Sequence, residues 1–408
     1  MTQEEKVENE KFNSLNVTAL SAGHAVHDTF SGFLPPLIPV FIEKFAFSKT
    51  EVGILSLFVQ LPSLLQPLIG HLADRSDLRW VVILSPAVTA AAMSLLGIAP
   101  AYGWIAFLLT IAGISSAALH AIGPVMTGVQ SGSNLGKGMS FWMVGGELGR
   151  TLGPLAVVST IALLTLDGLP LLMLAGFLIS FFLYFRIRQI PRSAFQTLEP
   201  IQWKKSLAEM RSVMAPLLGV TIVKSFMAVS LSTYLPTYLT EKGSNLWLAG
   251  ASLSILEAAG VLGALLGGSI SDRIGRRKVL AISFSATAVF LWLFTHSVST
   301  LQIPLLLLLG FFSLSVTPVM MAIAQENFPN NRSLANGVFM AFNFIAQAIV
   351  TIIFGSFADR YGLQQAFSFS TVIILAGLPL ILLLPKSKKQ STSHGDQIKP
   401  SSNSTGAL

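Results

Sequence analysis

Apolar residues in this chain come in blocks about as long as a bilayer is thick, with polar residues mostly in the gaps between them. Because ~20 apolar residues in a helix cross the hydrocarbon core, the pattern predicts an all-α membrane protein with twelve transmembrane helices. The first six run approximately Asn16 to Ile42, Thr50 to Ala73, Trp80 to Pro100, Tyr102 to Gly128, Gly138 to Leu166 and Leu169 to Ile187. The second six run approximately Ala215 to Leu239, Leu246 to Ile270, Val279 to Ser297, Leu301 to Ala324, Leu334 to Phe357 and Ala366 to Pro385. The chain thus divides into an N-terminal tail (1–15), a six-helix bundle (16–187), a polar connector (188–214), a second bundle (215–385) and a Ser-rich tail (386–408) expected to be disordered.

The halves repeat. Gly70-His-Leu-Ala-Asp74-Arg75 closes the second span, and Gly268-Ser-Ile-Ser-Asp272-Arg273 closes the eighth, 198 residues later. One motif at equivalent ends, in one orientation, is the mark of parallel repeats related by an axis along the membrane normal. Such bundles rock about a site between them, and the two loops become gating candidates through Asp74, Arg75, Asp272 and Arg273. A merely topological basic loop is the competing reading. A third copy, Gly355-Ser-Phe-Ala-Asp359-Arg360, falls on the opposite face and shows how little the six-residue pattern says alone.

Charge sets the orientation. With an even number of spans both termini share a side, and loops on that side carry fourteen Lys and Arg residues against four opposite. By the positive-inside rule the termini are cytoplasmic. The first fifteen residues are acid-rich, without the basic, apolar and small-residue sequence of a cleaved signal, so the first apolar block is expected to stay. The net charge of +7 is spent on these loops rather than on one amphipathic face, which argues against a nucleic-acid partner. The chain has no cysteine, which excludes disulfides, thiolate nucleophiles and Cys-based metal sites.

Ionisable residues at membrane depth are costly and belong on faces turned to protein or water. The third, sixth, ninth and twelfth spans have none in their interiors and are fit to face lipid. Charges instead fall on the first span (His24, His27, Asp28), the fourth (His120), the fifth (Glu147, Arg150), the seventh (Lys224) and the eighth (Glu257). At about 1.5 Å of rise per residue, Asp28, Glu147, Arg150, Lys224 and Glu257 reach one mid-membrane level, with His120 nearer the cytoplasmic end.

His24, His27, Asp28 and Ser31 follow i, i+3, i+4, i+7 and form one helical stripe, and Pro35 and Pro36 behind them permit a bend. Imidazole titrates near neutral pH, and a carboxylate beside it takes or releases a proton as water gains access. His24, His27 and Asp28, with Glu147, are the proton-coupling candidates. A hydrogen-bonded patch locking the first helix is the plainer alternative, and a transition metal on His24, Asp28 and His120 lacks a complete ligand set. Glu147 and Arg150, three apart, form either a structural pair or a substrate-binding arginine that changes partners. Lys224 and Glu257 lie on adjacent spans, where mutual neutralisation is open. Arg150, Lys224, His120 and Glu257 are the substrate-binding candidates. Three carboxylates face two permanent cations, so one proton balances the chamber.

Enzyme signatures are missing. Gly132-Ser-Asn-Leu-Gly136-Lys137-Gly138 is one residue short of a phosphate loop and has Gly138 where Ser or Thr is required, and neither H-E-x-x-H nor G-x-S-x-G occurs. The residues predict no enzyme and no cofactor beyond a proton gradient.

From Asn16 to Pro385 the two bundles with their Gly-x-x-x-Asp-Arg loops resemble the major facilitator superfamily. Within it, H-D-T-F-S-G-F-L-P-P-L-I-P from His27, Q-P-L-I-G-H-L-A-D-R from Gln66, S-S-A-A-L-H-A-I-G-P from Ser115 and G-G-E-L-G-R-T-L-G-P from Gly145 look like the fosmidomycin resistance branch. The resemblance implies a proton-driven antiporter in the cytoplasmic (inner) membrane that expels small anionic or amphiphilic compounds, fosmidomycin being a phosphonate; a monomer is expected. The fifth span is similar to the superfamily's antiporter motif through Gly149, Gly153 and Pro154, but carries Val157 and Val158 where that motif closes on glycines. The first loop has Ser76-Asp77-Leu78 in place of the Gly-Arg-Arg of the second copy. An uptake symporter for an organic anion and a non-transporting receptor are the alternatives.

Overall fold

The computed structural model describes residues 12–66, 68–69, 79–188, 203–297, 299–328 and 332–385, and every regular element among them is helical. The first six spans are Ser14–Ser31 continued by Leu34–Phe45, then Lys49–Gln60, Arg79–Ser94, Tyr102–Ser131, Leu135–Leu164 and Met173–Ile187. The second six are Trp203–Ala228 continued by Leu235–Glu241, then Leu246–Ile274, Arg276–His296, Gln302–Asn327, Arg332–Tyr361, and Leu363–Ala376 continued by Leu378–Leu383. Eleven of these spans are long and apolar enough among the described residues to cross a membrane. The remaining one, the second, is followed through a 3₁₀ turn at Leu61–Leu65; Asp74 and Arg75 at its predicted end lie outside the described residues, as do both tails beyond residues 12 and 385.

Helix packing repeats with a shift of six spans. The first span packs on the fifth as the seventh packs on the eleventh, the second on the fourth as the eighth on the tenth, and the third on the sixth as the ninth on the twelfth. This is the relation two parallel repeats impose. Between bundles, the fifth lies on the eighth and the second on the eleventh, and the same shift exchanges these two pairs. The sixth span turns Leu174, Phe177, Leu178 and Phe181 outward, as a lipid-facing helix does.

Local chemistry sets the interruptions. The first span, expected as one helix to Ile42, breaks at Gly32 and Phe33, because Pro35 and Pro36 have no N–H to give the carbonyls of Ser31 and Gly32. The same prolines suit the first turn of the helix that follows. The seventh span widens into a π segment at Val229–Thr233 just ahead of Pro236, which cannot donate to Ser232. Its helix also starts at Trp203, inside the predicted connector, since Lys204-Lys205-Ser-Leu-Ala-Glu-Met is made largely of good helix formers. Between the eighth and ninth spans the chain turns on one residue, Gly275 at φ +101°, a conformation that glycine adopts without strain.

The fifth span meets the first along a glycine stripe. A Cβ at Gly145, Gly149 or Gly153 would run into the backbone oxygen of Ser21, Ala25 or Thr29 respectively. Positions four apart on one helix therefore receive positions four apart on the other, and the two backbones come together as small residues allow.

Candidate functional site

That close approach puts the polar stripe of the first span against the charged turn of the fifth. His24, His27 and Asp28 are all nearly inaccessible, at 4%, 0% and 3% exposure. Asp28 is the hub. Its Oδ1 accepts from His27 Nδ1 at 2.9 Å, its Oδ2 lies 3.3 Å from His24 Nε2, and His120 Nε2 approaches Oδ1 at 3.7 Å. Arg150 Nη1 stands 3.9 Å from Oδ2 and its other arm pairs with Glu147. Of the five groups expected to share one mid-membrane chamber, the structure gathers Asp28, Glu147 and Arg150, with His24 and His27 beside them, and sets Lys224 and Glu257 apart. His120 joins the Asp28 cluster. It reaches Asp28 although it lies nearer the Ser131 end of the fourth helix, Tyr102–Ser131, as the sequence placed it.

The tautomers follow from the partners. His24 Nδ1 donates to the Trp142 carbonyl at 2.9 Å and His120 Nδ1 to the Ser116 carbonyl at 2.9 Å, since a carbonyl oxygen only accepts. The remaining Nε2 atoms, 3.3 Å apart and both turned to Asp28, carry facing lone pairs while both rings are neutral. A cation resolves this, and a proton is the smallest. Trp142 stacks on His24 with ring centroids 3.9 Å apart and fixes the ring plane. His24, Asp28 and His120 also offer three ligand atoms within 4.8 Å of one another, but the Arg150 guanidinium beside the same carboxylate opposes a divalent ion there.

On the other bundle the two candidates separate. Lys224 and Glu257 do not pair: Lys224 Nζ donates to Asn343 Oδ1 at 2.7 Å, and Glu257 Oε1 accepts from Ser232 Oγ at 3.0 Å. Ser232 belongs to the π segment Val229–Thr233, an irregularity frequent at functional sites. Among the described residues no carboxylate lies within ion-pair range of Lys224. Glu257 instead interacts electrostatically with Arg150 across the space between bundles. Asn343, Ser232 and Trp142 escape sequence reasoning because they carry no charge; the signal available was the run of amides Asn336, Asn343 and Gln347 along the eleventh span.

The gating candidates are divided. Asp272 pairs with Arg276 one turn on, and Arg276, itself buried, reaches Glu326 Oε1 at 2.6 Å and the Gly268 carbonyl at 3.2 Å. The loop is thereby tied to the end of the tenth span within its own bundle. Arg273 is exposed.

Twelve spans in two packed repeats, enclosing charged groups at mid-depth, define a membrane carrier. The Major Facilitator Superfamily model matches residues 20–273 and 253–404, and the chain belongs to that family. It is 25% identical over 380 residues to a fosmidomycin resistance protein of Escherichia coli, covering 91% of this chain and 92% of that one. It is 23% identical over 386 residues to YfnC, an uncharacterized MFS-type transporter of Bacillus subtilis, covering 91% and 93%. Among solved structures it resembles a bacterial homologue of the human lysosomal transporter Spinster, inward-facing and occupied, with TM-score 0.78, 13% identity and 92% and 97% coverage. The nucleoside transporter NupG gives 0.74 at 15% identity, covering 90% and 99%, and a D-xylose-proton symporter gives 0.70 at 18%, covering 93% and 100%.

Proposed function

We propose that this transporter is a proton-coupled antiporter of the inner membrane, its termini cytoplasmic, that exports small anionic or amphiphilic compounds by alternating access. The observation that carries the anionic preference is Lys224, an ammonium at membrane depth that donates to a neutral amide oxygen, Asn343 Oδ1. A cation so placed gains most from an anion that arrives and leaves. Arg150 supplies a second positive contact once its guanidinium turns from Glu147 and Asp28 to the substrate. Asp28, with His24, His27 and His120 around it, holds the coupling proton, and Glu147 competes for Arg150. Export rather than uptake is supported by the fosmidomycin resistance relative and by the Gly149, Gly153 and Pro154 pattern of the fifth span.

Uptake symport has one observation in its favour. A proton added to the Asp28 cluster raises the positive potential beside Arg150, so proton and anion assist each other's binding. Direction of flux decides. In vesicles loaded with a pH dye, with an imposed proton gradient, addition of fosmidomycin or a panel of organic anions is expected to drive proton movement opposite to substrate. Movement in the same direction establishes symport, and binding without any flux overturns both.

A further inference from the structure

The third copy of Gly-x-x-x-Asp-Arg, at the end of the eleventh span, meets the start of the second span of the opposite bundle. A helix leaves its first amides without intrahelical acceptors, and at Lys49–Gln60 each of them is accounted for. Ser48 Oγ accepts from the Glu51 amide at 3.1 Å and Glu51 Oε2 accepts from the Ser48 amide at 2.8 Å, a capping box internal to the helix. The amides between them, Lys49 and Thr50, donate to Asp359 Oδ1 and Oδ2 at 2.7 and 2.8 Å, and Thr50 Oγ1 donates to Asp359 Oδ2. Half of this helix cap is thus supplied by the other bundle. The motif's glycine makes the approach possible: a Cβ at Gly355 would stand 2.6 Å from the Lys49 carbonyl oxygen and 2.8 Å from the Tyr234 hydroxyl. Tyr234 donates to that same oxygen at 2.7 Å, and Lys49 Nζ pairs with Glu241 at 3.0 Å. These ties, with the Trp247 to Ser159 hydrogen bond, gather at the end remote from the chain termini. The copy ending in Asp272 is not so engaged: nothing lies within 4 Å of a Cβ at Gly268.

We propose that Asp359 is the latch of the remote gate. It holds the bundles closed at that end by completing the cap of the second span, and it lets go each time the bundles part there, leaving the Lys49 and Thr50 amides to water. The assignment does not depend on which substrate or ion is carried.

The absence of cysteine supplies the test. Val158 is 1% exposed and packs on Gly250 across the same interface, so Val158→Cys in the full chain creates a lone thiol that is reached when the remote end opens. In nanodiscs, Asp359→Ala is expected to raise the rate of labelling by a charged maleimide about fivefold, the usual worth of a helix cap, and Asp359→Asn, keeping one acceptor oxygen, by less. Ser48→Ala removes the cap that the helix provides for itself and is expected to leave the rate within about twofold. An unchanged rate in Asp359→Ala overturns the proposal, as does an equal rise in Ser48→Ala. Where Asp359→Ala does not accumulate as a monodisperse protein, no rise in Asp359→Asn has the same force.

Discussion

The Nε2 atoms of His24 and His120 face each other at 3.3 Å across the carboxylate of Asp28. Each ring has its other nitrogen committed to a backbone carbonyl, so the arrangement is complete when one extra proton is shared among the three side chains. That makes Asp28 the group whose charge the two rings answer to.

Asp28→Asn removes that charge while keeping the shape and a hydrogen-bond acceptor for His27. Proton flux on substrate addition is expected to fall to the level of protein-free vesicles, with the protein still folded and present in the membrane. Retained coupling would show the cluster to be a structural patch.

His120→Gln and His120→Phe separate the two roles open to His120. As a member of the proton cluster, its loss alters the pH profile of transport and leaves substrate affinity within about threefold. A large rise in KM with an unaltered pH profile would return it to the substrate-binding set.

Lys224→Gln is expected to raise the KM for an anionic substrate by about tenfold or more, as a charge-assisted hydrogen bond is worth about 1.5–3 kcal/mol. Lys224→Arg recovers part of the loss. Asn343→Ala acts through the same ammonium, so a double-mutant cycle between the two positions is expected to be non-additive. Additive effects would mean that Asn343 does not position Lys224.

Gly149→Ala places a methyl group against the Ala25 backbone oxygen. Overpacking of this kind costs about 1–3 kcal/mol, to be read as a lowered melting temperature. Gly268→Ala, with open space around it, is the matched control and is expected to melt within a degree or two of the parent.

The span pattern and the buried charges were legible because a bilayer penalises both a short apolar block and a stray ion. Asp28, Glu147 and Arg150 stand together as their spacing implied. The misreadings concern what lies between helices. The sequence left Lys224 free to pair with Glu257, since helical spacing does not say which neighbour a side chain turns to, and the structure gives each a neutral partner instead. The third Gly-x-x-x-Asp-Arg copy looked like noise because it sat on the wrong face. Its meaning depends on the second and eleventh spans being antiparallel neighbours, a relation that no single span encodes.

The glycine stripe has a mechanical consequence. With Gly145, Gly149 and Gly153 seated on the first span's backbone, the first and fifth spans have no room to slide or twist past each other. The backbones that carry Asp28, His24, Glu147 and Arg150 are therefore set as one jaw of a vice, leaving only the side chains to change partners. Lys224 and Glu257 sit on the opposing jaw, and under the proposed alternating access what a cargo feels as the carrier turns over is the changing gap between the two.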